Sequence, residues 1–165
     1  MKHIKPILLL LLGAIAFAAC SDEPPADKIK GSCGCKVAAY TRYQKQGRYL
    51  APNGQYRDTI YYRDTVYSYG NGSVSISRNS DKNVSVTLKN TRLGINESYE
   101  SVSLSDYSYE ANLSSSKDSI TINSRRYEAI FSGTVNYDSK AIALSLKVKI
   151  YPSSYGKYIL SFTGE

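Results

Sequence analysis

Paired carboxylates, a Cys-x-Cys motif and a stretch rich in tyrosine and arginine are the groups in this 165-residue chain whose types and spacing suggest chemistry. Glu97 with Glu100, and Asp58 with Asp64, offer the two carboxyl groups that glycoside hydrolysis requires. Neither pair lies in an apolar sequence context that would lift the pKa of one member, so both read as surface carboxylates. Cys33 and Cys35, in Gly31-Ser32-Cys33-Gly34-Cys35, could close a small strained disulfide or supply half of a soft-metal site. The only histidine, His3, stands in the first residues of an N-terminal leader, and removal of that leader takes it away. A chain without histidine cannot run Ser-His-Asp, Cys-His or imidazole-metal chemistry. No metal, no cofactor and no enzymatic activity are expected, and binding is favoured over catalysis.

The tyrosine-rich stretch is the other candidate. Residues 36–69 hold eight of the sixteen tyrosines, and residues 28–63 hold eight basic side chains against Asp58 alone. Within them Tyr56-Arg57-Asp58-Thr59-Ile60-Tyr61 is followed directly by Tyr62-Arg63-Asp64-Thr65-Val66-Tyr67. Six is an even number, so an extended chain presents the same faces in both copies, whereas a helix would scatter them. One face carries Tyr56, Asp58, Ile60, Tyr62, Asp64 and Val66; the other carries Arg57, Thr59, Tyr61, Arg63, Thr65 and Tyr67. Tyr56, Arg57, Tyr61, Tyr62, Arg63 and Tyr67 form a candidate surface for a glycan, stacked on the rings, or for a partner protein. The same residues also suit a stiff stalk or the first hairpin of a barrel. Arginine and tyrosine together can hold single-stranded nucleic acid as well, but an address outside the cell makes that partner unexpected.

That address comes from the N-terminus. Lys2 and Lys5 precede an apolar run from Ile7 to Ala19, thirteen residues and too short to span a bilayer as a helix. Phe17-Ala18-Ala19-Cys20 resembles a lipobox, which implies cleavage before Cys20, lipidation of Cys20 and a membrane anchor of several acyl chains (palmitate among them). Ser21 follows in place of an aspartate that would retain a lipoprotein at the inner membrane, and Asp22-Glu23 resembles an export signal to the cell surface. The expected location is therefore the outer membrane, lipid-anchored and facing outward. The mature chain keeps 146 residues, with 19 basic against 14 acidic side chains.

Asp58-Thr59-Ile60, Asp64-Thr65-Val66 and Asp118-Ser119-Ile120 resemble the O-glycosylation signal of Bacteroidota, making Thr59, Thr65 and Ser119 candidate acceptors. The Asn-x-Ser sequons at Asn71, Asn83, Asn96 and Asn112 carry no weight in a bacterial chain.

Positioning these groups falls to β-structure. Val84, Val86 and Leu88 alternate with Ser85, Thr87 and Lys89, and Ile142 to Ile150 alternates in the same way with Ala143, Ser145, Lys147 and Lys149. Shorter alternations occur at Val74–Ile76, Val102–Leu104, Ile120–Ile122, Tyr127–Tyr137 and Tyr158–Phe162. No sustained helical period follows residue 20, so the fold class is all-β, a small antiparallel barrel of about eight strands with one wet face. The expected organisation is a signal peptide at 1–19, a lipidated flexible tether at 20–35, a Tyr/Arg-rich extended segment at 36–69 and a β-barrel at 70–165.

Val84-Ser85-Val86-Thr87-Leu88-Lys89-Asn90-Thr91-Arg92-Leu93-Gly94, Phe131-Ser132-Gly133, Leu144 to Ile150 and Ser161-Phe162-Thr163-Gly164 resemble the calycin-like (lipocalin-like) β-barrel lipoproteins of Bacteroidota. The resemblance covers residues 70–165 and implies a small barrel on a lipid anchor, without a common activity or transferable catalytic residues. Two functions follow as expectations: a non-catalytic barrel that binds a small apolar ligand or a glycan, or a structural subunit that docks an adjacent surface protein through residues 40–69.

Overall fold

The computed structural model describes residues 23–115, 118–149 and 155–164. The leader and Cys20 lie outside the described residues. A short helix α1 (Pro25–Ile29) leads into nine strands: β1 (Gly31–Leu50), β2 (Tyr56–Ser80), β3 (Asn83–Asn90), β4 (Ile95–Asp106), β5 (Glu110–Ser114), β6 (Asp118–Ile122), β7 (Arg125–Asn136), β8 (Ile142–Lys149) and β9 (Tyr155–Gly164). All pairings are antiparallel, in the order β5-β4-β3-β2-β1-β9-β8-β7-β6, and β5 also pairs with β7. That last pairing closes the ring. β5 lies against Ser132–Asn136 and β6 against Arg125–Ala129, so the two are consecutive pieces of one strand position along β7. The result is an up-and-down barrel of eight strand positions, the all-β class expected from the alternating pattern.

Where β4 and β6 run side by side without a ladder, side chains seal the wall. The Glu97 carboxylate accepts from Thr121 N–H at 2.8 Å, and the Tyr99 hydroxyl donates to the Ser119 carbonyl at 3.1 Å. Outside, hydroxyls on paired residues meet across the ladders, as Ser32 with Ser75, Thr87 with Ser98 and Ser132 with Ser145.

Every strand position sends apolar side chains inward: Val37 and Ala39 from β1, Val74 from β2, Leu88 from β3, Val102 from β4, Leu113 and Ile120 from β5 and β6, Phe131 from β7, Leu146 from β8 and Phe162 from β9. Val74, Leu88, Phe131, Leu146, Leu160 and Phe162 each expose 0% of their surface, so no water-sized space borders them. Eight strands enclose an interior just wide enough for side chains or one small ligand, and these six side chains occupy its centre.

The first strands depart from the expected division of the chain. Residues 25–29 form a helix with Pro25 at its start, not part of a flexible tether, and Ala26 and Ile29 are buried against the barrel core. Five residues are too few to leave a helical period in the sequence. Asp27 accepts from Lys30 at 2.8 Å and from Arg78, Lys28 lies 5.3 Å from the Tyr137 ring centre, and Lys140 donates to the Lys28 carbonyl at 2.7 Å. α1 thereby covers the barrel end formed by the β2–β3 and β7–β8 turns. The expected boundary at 69/70 falls inside β2, which runs unbroken through Gly70. At that point β2 carries an extra residue opposite β1, and Gly70 takes φ +74°, a conformation that suits glycine. The bulge shifts the inward-facing side chains from odd positions in 57–67 to even positions at Val74 and Ile76.

Candidate functional site

Among the described residues, β1 pairs with β9 from Lys36 to Tyr43, and β2 pairs with β3 from Ser73 onward. Beyond those limits the two strands continue with each other as far as Leu50 and Tyr56. Residues 44–50 and 56–62 thus form a two-stranded ribbon that pairs with no third strand among the described residues, about 20–24 Å long at 3.3–3.4 Å per residue. It leaves the barrel at the end opposite α1. With the paired stretches that lead into it the ribbon makes up an arm, residues 40–69, on which Tyr49, Leu50, Tyr56, Ile60, Tyr61, Tyr62, Val66 and Tyr67 are exposed. All six tyrosines and arginines singled out from the repeat (Tyr56, Arg57, Tyr61, Tyr62, Arg63, Tyr67) belong to it.

Register sorts the arm into two chemically different faces, because directly paired residues project to the same side. The outer face pairs Arg48 with Asp58 and Arg42 with Asp64. Arg42 grips Asp64 through two bonds, Nε to Oδ1 at 2.8 Å and Nη2 to Oδ2 at 2.9 Å, and Arg48 Nε reaches Asp58 Oδ1 at 2.9 Å. The Arg42 guanidinium also lies 5.8 Å from the Tyr62 ring centre. Its hydrogen bonds hold the Asp64 carboxyl down at about 2. Around these neutralised pairs sit Tyr56, Ile60, Tyr62 and Val66.

The inner face continues the barrel interior, since Val37, Ala39 and Thr41 share parity with Tyr43, Lys45, Gly47 and Tyr49. Its pairs are Tyr49 with Arg57, Gly47 with Thr59, Lys45 with Tyr61, Tyr43 with Arg63, Thr41 with Thr65, and Ala39 with Tyr67. No acidic residue stands on it. At Gly47 an added Cβ would come within 2.6 Å of Tyr61 Cε1, so the Tyr61 ring lies across the ribbon over the glycine. The sequence reading found the repeat in β2 and missed its counterpart. Arg42-Tyr43 and Arg48-Tyr49 are also six residues apart, which is the signal that would have identified β1 as the matching strand.

Other candidates are placed differently. Thr59 and Thr65 are half-buried in the middle of the inner face, where an attached glycan would cover the cations. Ser119 sits on β6 and its hydroxyl accepts from Arg126 Nε at 2.8 Å. Asp58 and Asp64 are six residues apart along one strand, about 20 Å, against the roughly 5–9.5 Å of a glycosidase pair. Glu97 is held by Thr121 N–H while Glu100 is exposed.

Cys33 and Cys35 are free thiols, the first half-buried and the second buried in β1. The candidate disulfide is absent for a geometric reason: residues i and i+2 of a strand hold their side chains about 6.8 Å apart, against roughly 3.5–4.5 Å between bridged Cβ atoms. Burial pushes the Cys33 thiol up, and burial with the neighbouring Cys33 pushes Cys35 up to about 11. Both are protonated and weakly nucleophilic at neutral pH. Beside them an open cleft of about 730 Å³ is bordered by Gly34, Cys35, Asn71, Gly72, Ile142 and Gly164 among others. Among the described residues no group of three Cys, His, Asp or Glu side chains is placed to hold a metal, and no helix is long and apolar enough to cross a membrane.

No protein-family model, no curated protein and no solved structure matches this chain.

Proposed function

We propose that this chain is a non-catalytic surface lipoprotein whose arm, residues 40–69, is the binding element and whose barrel is the stand that carries it. The observation that carries this reading is the contrast between the two parts. Among the described residues the centre of the barrel is occupied by fully buried side chains such as Leu88, Phe131 and Phe162, while the arm holds a set of large side chains in water. A two-stranded ribbon is marginal on its own, and its exposed rings gain stability only when something covers them. The ligand class is an extracellular glycan or an adjacent surface protein. Anchoring through Cys20 fits the geometry, because α1 lies at one end of the barrel and the arm at the other, so an anchored barrel points the arm away from the membrane. The resemblance to calycin-like lipoproteins belongs to the same proposal, and the eight-position barrel agrees with it.

The test uses the full mature chain and a variant in which residues 44–62 are replaced by a two-residue turn. A neutral apolar dye, N-phenyl-1-naphthylamine, should show no saturable binding to either. Glycan-array binding should be seen with the intact chain and lost with the arm. Saturable dye uptake by both proteins, or glycan binding that survives removal of the arm, would return the function to the barrel.

A further inference from the structure

The inner face of the arm is a row of alternating cations and rings. Each of three cross-strand pairs holds one tyrosine and one cation: Tyr49 with Arg57, Tyr61 with Lys45, and Tyr43 with Arg63. The tyrosine changes strand from one such pair to the next, so the cations follow a zigzag down the ribbon. The only acids of the hairpin, Asp58 and Asp64, are on the opposite face and are bound there by Arg48 and Arg42. Among the described residues no carboxylate lies within ion-pair distance of Lys45, Arg57 or Arg63. The face therefore carries three positive charges without an acidic partner among the described residues, spread over about 20 Å.

We propose that this face binds a linear anionic glycan, with its acidic groups on Lys45, Arg57 and Arg63 and its sugar rings against Tyr49 and Tyr61. The inference rests on the arm being the binding element and names what it binds. Charge decides the sign of the ligand. The ring geometry decides the backbone: Gly47 lets Tyr61 lie across the ribbon, presenting an apolar plane with a hydroxyl at its edge, and Thr59 adds a hydroxyl beside it. Both polymer classes are anionic, and the exported address implied by Phe17-Ala18-Ala19-Cys20 favours an extracellular glycan over a polynucleotide. A linear chain lying along the ribbon axis meets the three cations in turn.

The experiment titrates the full mature chain, carrying Cys20→Ser to remove the acyl groups, with polygalacturonate, heparin, neutral dextran and poly(dT) at low salt. Polygalacturonate or heparin should bind, dextran should not, and poly(dT) should bind at least about tenfold more weakly. Arg57→Gln with Arg63→Gln should weaken glycan binding about tenfold or more, the loss of two charge-assisted contacts. Ile60→Ser with Val66→Ser, on the opposite face, should leave it within about twofold. All these side chains are exposed, and unchanged thermal unfolding of each variant shows that folding is not the cause. Failure of both anionic glycans to bind, equal binding by the arginine variant, or tighter binding of poly(dT) would overturn the proposal. A ligand lost with Ile60→Ser and Val66→Ser but kept by the arginine variant would leave the arm as binding element and refute the anionic glycan.

Discussion

Excising the arm should barely change the stability of the barrel. Joining Tyr43 to Arg63 through Asn-Gly removes residues 44–62, and the junction is sound because Tyr43 and Arg63 are directly paired across an antiparallel ladder. The deleted residues contribute nothing to the core cluster, which passes from Ala39 in β1 to Val74 in β2. One ion pair disappears, Arg48–Asp58, with side chains 73% and 84% exposed, and such a pair is worth about 0–1 kcal/mol. The isolated ribbon is itself close to neutral in stability. The expected change is therefore within about 1 kcal/mol, or about 2–4 °C in Tm for a chain of this length. Phe162→Ala sets the scale from the other side: its ring is fully buried, and truncation should cost about 3–5 kcal/mol. Urea unfolding followed by tyrosine near-ultraviolet circular dichroism measures both. If excision cost as much as Phe162→Ala, the arm would be part of the folding core and its separation from the barrel would be mistaken.

Three further outcomes follow from particular residues. Gly70→Ala forces a side chain into a left-handed position and should cost about 1–2 kcal/mol, with amide shifts concentrated around the bulge at Tyr69 to Asn71 and not in β8. The Asp64 carboxyl titrates lower when folded than unfolded, at about 2 against an ordinary 3.8, so its contribution is complete above about pH 4 and fades as pH falls toward 2. Arm resonances of Arg42 and Tyr62 should therefore move between pH 4 and 2 and stay fixed from pH 5 to 8; movement only above pH 5 would contradict the pairing. Intact mass of the native protein should equal the mature chain plus its acyl groups; a glycan on Thr59 or Thr65 would occupy the inner face and remove it as a free binding surface.

Much of the fold was legible because burial on one face writes itself into sequence with a period of two. Val84–Leu88 and Ile142–Val148 alternate cleanly and are strands with those residues inward. β5 was harder to see, because five residues with only Ala111 and Leu113 inward give a weak signal, and its break from β6 depends on the tertiary wall. α1 left no period in five residues, so its buried Ala26 and Ile29 looked like tether. Gly70 read as a boundary because a glycine among polar residues marks a turn as often as a bulge, and only the β1 register distinguishes them. The arm was half legible: the even period of the β2 repeat sorts its two faces, yet which face loses its charge depends on Arg42 and Arg48 arriving from β1. The thiols were misleading because Cys-x-Cys suits a disulfide only in a bent chain, and here the chain is extended.

The central claim is that binding belongs to the inner face of the arm and not to the barrel interior. The most direct measurement is a map of backbone amide shifts in the full mature chain, 15N-labelled with Cys20→Ser, on addition of a polygalacturonate oligosaccharide. Shifts confined to residues 43–49 and 57–65, with Leu88, Phe131 and Phe162 unmoved, are the predicted result. Shifts centred on those interior residues, or none anywhere at saturating oligosaccharide, would contradict the account.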